Sequence, residues 1–218
     1  MNNKQTGFTL IELAIVLVII GLLLGGVLKG QELINSAKVK NMATDFKNIQ
    51  VYIYGYQDKF KALPGDDHAA AAHVGGTNAT DAAQKQNAII EGEWDSQSAA
   101  DESFMFWQHV RLAGLAPGST VPNTTTYVQR NADGGQVGVQ SVSTMVAVKP
   151  LSTTAGGLSG AYAICSDGIL GKFAKQLDTT LDDGVGDTGS VRVVVNGTPS
   201  IGVAAPDDST PYLVCMAF

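Results

Sequence analysis

From Phe8 to Leu28 the chain runs through 21 residues in which Glu12 is the only ionisable side chain. As a helix rising about 1.5 Å per residue, such a run is long enough to cross a hydrocarbon layer roughly 30 Å thick. A cleaved secretory signal has a shorter apolar core with a small-residue cleavage site after it. Here the polar leader "MNNKQTG" comes first, and the apolar run passes straight into an amphipathic pattern. Glu12 therefore needs a use, because a carboxylate in hydrocarbon is expensive unless something partners it. Gly21, Gly25, Gly26 and Gly30 add small-xxx-small spacings that let helix backbones approach closely. The same glycines also weaken a helix, by about 1 kcal/mol each relative to alanine.

After Lys29 the apolar residues narrow to one face: Val39, Met42, Phe46, Ile49, Ile53, Tyr56, Phe60 and Leu63, in alternating steps of three and four. That is the stripe of an amphipathic helix, with Lys40, Asp45, Lys47, Asp58 and Lys61 on its solvated side. Pro64-Gly65 is expected to stop it. A two-stranded coiled coil would show the same stripe. A head packed on the helix is the favoured reading, because the rest of the 218-residue chain must also bury its apolar side chains. The head reads as mixed. Helices are expected at about 101–113, closed by Gly114, with a Ser or Asp cap, and at about 170–181. Strands are expected at 137–148, 161–165, 191–195 and 212–218, with Asn196-Gly197 as a hairpin signal. Stretches 78–98 and 117–135 read as loops. The fold class is α+β: a long N-terminal helical stem packed on a C-terminal head with an antiparallel β-sheet.

Cys165 and Cys215 each lie in a short apolar run, "AYAICS" and "YLVCMAF". With an export-like N-terminus they are read as one disulfide, the alternative being two buried free thiols. The net charge is −6, and no Lys/Arg stripe is present, so a nucleic-acid partner is disfavoured. Of the catalytic signatures, HExxH, GxSxG, the P-loop and a dinucleotide fingerprint are all missing from the sequence. His68 and His73 are five apart, which puts them off one helical face, and "DDHAAAAH" reads as a turn and an alanine helix with Asp caps rather than a metal site. His109 reads as a residue of an amphipathic helix rather than a base. The acidic loop with Asp182, Asp183 and Asp187 is the best small-ligand candidate, with calcium as the cation that suits clustered hard oxygens. The plainer reading of the same residues is a solvated turn.

The N-terminal "KQTGFTLIEL" resembles the leader of type IV prepilins and of type II secretion pseudopilins. Less specifically, "YQDKFKALPGDD", "ESFMFWQHVRLAGL" and "LDTTLDDGVGDTGSVRV" resemble the head of a minor pilin or pseudopilin group. The resemblance implies cleavage after Gly7 by a prepilin peptidase, N-methylation of Phe8, and a structural subunit rather than an enzyme. It divides the chain into a leader (1–7), a transmembrane or filament-core helix (8–28), an amphipathic stem (29–63) and a head (64–218). Partners would be other pilin or pseudopilin subunits, the peptidase, and the inner membrane with its assembly platform. The head would lie in the periplasm and later on the filament. Lysine counting does not fix this orientation, since Lys4 precedes the span while Lys29, Lys38 and Lys40 follow it. In a filament Glu12 would pair with the Phe8 amine of a neighbouring subunit. The rival reading is a signal-anchored periplasmic enzyme or ligand-binding protein, which gives Glu12 no purpose.

Overall fold

The computed structural model describes residues 9–79, 87–122, 126–145, 157–195 and 202–218. They fall into two units, one ending at Lys38 and one beginning at Val39. Helix α1, Leu10–Phe60, contributes to both. In the first unit its side chains are uncovered: Leu10 is 89% exposed, Leu22 74% and Leu28 72%. In the second unit Val39, Met42, Ala43, Phe46, Ile49, Ile53 and Tyr56 are buried at the three- and four-residue steps of a helical stripe.

Helix α1 ends three residues before the expected Leu63. Lys61 takes a left-handed φ of 56°, which turns the chain so that Ala62 and Leu63 are buried. Gly65 then donates its N–H to Nδ1 of His109, at 2.9 Å. Its φ is +96°, and a Cβ there would lie 2.5 Å from the Glu102 carbonyl oxygen, so only glycine fits this turn. A short helix α2, Ala70–His73, follows.

The other helices and the sheet complete the second unit. Helix α3, Glu102–Leu112, lies where the sequence placed it. Asp101 occupies the N-cap position but makes no side-chain cap bond; its Oδ2 accepts from the Ser96 hydroxyl instead. The C-terminus closes as a Schellman motif: Gly114 (φ +77°) donates to the Arg111 carbonyl and Leu115 to the Val110 carbonyl. Strand β1, Val137–Ser141, is followed by a 3-10 turn, Val142–Thr144; the rest of the expected 137–148 strand lies largely outside the described residues. Then come β2, Tyr162–Leu170, helix α4, Gly171–Leu181, β3, Val191–Val194, and β4, Pro211–Ala217. All pairings are antiparallel, in the order β1-β2-β4-β3. The Asn196-Gly197 hairpin signal lies outside the described residues.

Strand alternation sorts the sheet into two faces. Val137, Val139, Tyr162, Ile164, Val191, Val193, Tyr212, Val214 and Met216 join the cluster containing the α1 stripe, Phe104, Phe106 and Trp107 of α3, and Phe173 and Leu177 of α4. Ala163, Cys165, Val194, Leu213, Cys215 and Ala217 form a smaller cluster on the opposite face with Trp94, Met145 and Leu158 from connecting segments. The segment around Trp94 carries no helix or strand, yet it is pinned: Trp94 donates its N–H to Gln140 Oε1 at 2.8 Å, and its carbonyl sits against Gly138.

Candidate functional site

The sequence points to the two ends of the chain and to the acidic loop. At the first end, Gly7 and Phe8 lie outside the described residues. Thr9 and Glu12 form a reciprocal pair at the start of α1. Glu12 Oε2 accepts from the Thr9 N–H at 2.8 Å and from the Thr9 hydroxyl at 2.7 Å, while the Glu12 N–H donates to Thr9 Oγ1 at 3.3 Å. This is a capping box, and its Thr-x-x-Glu signature was present in "TLIE". Glu12 therefore satisfies an otherwise orphaned backbone donor of its own helix, a role the sequence reading missed. Its other carboxylate oxygen makes no bond within the first turn.

Cys165 and Cys215 are directly opposed in the β2–β4 register and joined by a disulfide, with Cα atoms 4.1 Å apart. That spacing belongs to a non-hydrogen-bonded antiparallel pair, where side chains approach most closely. Both cysteines are fully buried in the smaller cluster, so the bond fastens the C-terminal strand to the centre of the sheet.

The histidines and the aspartates of "DDHAAAAH" take up defined contacts within the second unit. His109, wholly buried on α3, accepts from Gly65 through Nδ1, so Nε2 carries the proton donated to the Thr77 carbonyl at 2.7 Å. Burial holds its pKa below the usual imidazole value. Asp67 gathers three partners: the Tyr56 hydroxyl at 2.7 Å, His73 Nδ1 at 2.7 Å and the Ala69 N–H at 2.8 Å. His68 Nε2 stands 3.9 Å from Asp66 Oδ1.

A buried acidic group that the sequence did not announce surrounds Glu102. Its Oε2 accepts the Glu91 N–H at 3.0 Å, and Asp66 Oδ2 accepts the Ala88 N–H at 2.9 Å. Burial, reinforced by hydrogen bonding with the Glu91 carboxylate, pushes Glu102 up to about 9, so it is neutral at pH 7 and can donate to Glu91. Asp66 is raised too, chiefly by burial. Around Arg111 a second polar cluster forms. Its guanidinium donates to the carbonyls of Pro117 (3.0 Å), Ser119 (2.9 Å) and Tyr127 (2.6 Å) and stacks over Trp107 and Tyr127. The Tyr127 hydroxyl accepts from the Gln108 N–H and donates to the Phe104 carbonyl, inserting into the α3 ladder. Beside it, Asp45, Tyr52, Trp107 and Gln129 line a cavity of about 120 Å³. Asp45, expected to be solvated, is half-buried there, and burial raises its pKa.

In the acidic loop Asp182 and Asp183 come together with Asp178, one carboxylate oxygen from each lying within 4.8 Å of the others. Asp187 is not one of the three. Asp178, on α4, was not singled out from sequence.

Residues 2–28 match the family described as the prokaryotic N-terminal methylation motif. No curated protein and no solved structure matches the chain significantly. The match covers the residues ahead of α1 and the helix as far as Leu28, and so includes "KQTGFTLIEL". The motif thus sits at the start of a long apolar helix whose second half belongs to the unit that holds the antiparallel sheet.

Proposed function

We propose that the chain is a structural subunit of a type IV pilus or a type II secretion pseudopilus, of the minor, low-copy kind. A prepilin peptidase cleaves after Gly7 and methylates the new amine of Phe8. The subunit waits in the inner membrane with its head in the periplasm, then polymerises through the first half of α1. The observation that carries this reading is the motif at residues 2–28 on a helix that covers none of its most apolar window. An added Cβ at Gly21, Gly25, Gly26 or Gly30 would meet nothing within 4 Å, so among the described residues these glycines serve no packing contact. Close approach of neighbouring helices supplies one.

Glu12 then has two successive uses. Before assembly it closes the capping box with Thr9; in a filament it takes the Phe8 amine of the next subunit, so that neither charge is stranded in an apolar bundle. The test is filament recovery from cells carrying Glu12→Ala, with mass analysis of the N-terminus. Normal processing to N-methylphenylalanine at position 8 with loss of assembly is expected. A protein that keeps Met1, or unchanged incorporation of the variant, overturns the proposal.

A further inference from the structure

Of the acids along α1, Glu12 is held in its capping box, Glu32 pairs with Lys29 at 2.6 Å, and Asp58 pairs with Lys61 at 3.2 Å. Asp45 is the exception. The positions three and four residues away, where a helix offers an acid its cation, hold Asn41, Met42, Asn48 and Ile49. Among the described residues Asp45 makes no hydrogen bond or ion pair, although it is half-buried. Burial raises its pKa, and no neighbouring charge acts against that rise. A carboxylate drawn out of water without a partner is costly, so a positive group that reached it would be held.

Asp45 lines the cavity of about 120 Å³ between α1 and the chain around α3, which lies wholly within the second unit. At about 30 Å³ per water, that is room for roughly four waters or a group of four to five non-hydrogen atoms. The wall is of two kinds. Asp45, Asn48 and Tyr52, spaced by three and four on one face of α1, bring a carboxylate, an amide and a hydroxyl. The Asn48 and Tyr52 side chains make no hydrogen bond with the described residues either. Trp107, Ala116 and Pro117 make the rest largely apolar. Arg111 stacks on Trp107, but its guanidinium donates to the carbonyls of Pro117, Ser119 and Tyr127 and to Gln129 Oε1, and it is not part of the cavity wall. It therefore leaves Asp45 unmatched.

We propose that this cavity binds a primary alkylammonium group on a butyl-length chain, with Asp45 as its counter-ion and Trp107 against its methylenes. A primary ammonium carries three N–H donors, and the carboxylate, the Asn48 amide oxygen and the Tyr52 hydroxyl are acceptors for them. A quaternary ammonium has no donor and would leave all of these unmet. A neutral alcohol would leave the charge unmatched. A calcium ion needs six or more oxygens, and a single carboxylate in a partly apolar cavity does not supply them. The same ammonium chemistry comes from a lysine side chain of another protein or from a free small amine. This site is independent of the N-terminal assembly reading, and either can fail without the other.

The test uses the full-length protein in detergent, titrated with n-butylammonium chloride at constant ionic strength and followed by calorimetry and tryptophan fluorescence. One saturable site is expected, with a Kd on the order of 1–10 mM for so small a ligand. Tetramethylammonium and n-butanol should bind about tenfold more weakly or worse, because each lacks one half of the interaction. Asp45→Asn keeps the shape of the wall and removes the charge, and should also cost about tenfold or more. A second arm uses a short blocked peptide with one lysine. Binding at least as tight as butylammonium makes a protein lysine the natural occupant, and binding of the free amine alone makes it a small amine; either result supports the site. Absence of saturation by both probes at about 100 mM overturns the proposal. So does n-butanol that binds as well as butylammonium, or wild-type affinity in Asp45→Asn. Should Asp45→Asn fail to fold, Asn48→Ala, at an exposed position on the same helix face, carries the test with a loss of about threefold or more expected and unchanged affinity overturning it.

Discussion

The two halves of α1 are one continuous helix built for two different solvents. Up to Lys38 its apolar side chains point in every direction and stay uncovered; from Val39 the stripe Val39, Met42, Phe46, Ile49, Ile53 and Tyr56 is buried, and Val51 and Tyr54, off that stripe, are exposed. Leu22 is 74% exposed and Phe46 1%. Helix propensity does not separate the halves, since both are helical throughout. What separates them is angular distribution: an all-round apolar surface calls for lipid or neighbouring subunits, while a stripe calls for a sheet to pack on. Stability of the head therefore belongs to the second half alone, and substitutions in the two halves should read out in different assays.

The sharpest contrast is between Phe46→Ala and Val16→Ala. The first empties a fully buried site facing the sheet and should lower the stability of the head by roughly 3–5 kcal/mol. The second removes an exposed side chain and should leave head unfolding within about 0.5 kcal/mol of wild type. Denaturant unfolding followed by tryptophan fluorescence checks both, since Trp94 and Trp107 lie in the head; equal losses would break the comparison.

Replacing Cys165 and Cys215 by alanine opens a loop closed over 50 residues and should destabilise the head by about 4 kcal/mol in the chain-entropy account. Helicity of residues 10–38, followed by amide exchange, should not change. Gly65→Ala acts at the junction where the helix hands over to the head. Positive φ and the Glu102 carbonyl together predict a loss of about 2 kcal/mol or more, seen as a lower denaturation midpoint.

The pH dependence should also sit on the head side. Glu102 is raised to about 9, above its ordinary value, so the folded head holds that proton more tightly than the unfolded chain. Its stabilising contribution is full below about pH 4.5, and is lost as pH rises toward 9. Tm measured from pH 5 to pH 9 should fall for the wild type and stay flatter for Glu102→Gln, which keeps the neutral donor. A wild-type Tm that rises over that range would show the opposite linkage. Smallest of all is Thr9→Ala, which opens the capping box: faster amide exchange confined to the first turn is expected, with head melting untouched.

Much of this was legible in the sequence because it rests on periodicity and local chemistry. The stripe from Val39 to Tyr56 matched its burial residue by residue, and helices α3 and α4 lie within a residue or so of their expected limits. Gly114 closed its helix as glycine does wherever a left-handed residue is needed. The N-terminal motif was readable because membrane length and leader chemistry need no tertiary partner. Other parts were not legible. Asp178 looked like a helix residue among several, and only the packing of α4 showed that its carboxylate is buried without a hydrogen bond. Glu91, Glu102 and Asp66 are separated in sequence and meet only through the turn at Gly65 and the segment before α3. The end of α1 at Phe60 came with the left-handed turn at Lys61, which propensity could not foresee.

The sequence alone determined which segment needs an apolar solvent, which face of the stem needs a partner, and that the two cysteines belong in buried strands. Each of those follows from side chains spaced along a regular element, where neighbours in sequence set the geometry. The tertiary structure alone decided which carboxylates share a neighbourhood, which of them are neutral, and which face of the sheet holds the disulfide. Those depend on contacts between distant residues in a medium of low dielectric, where a shift of a few ångströms decides whether a charge is matched or left alone.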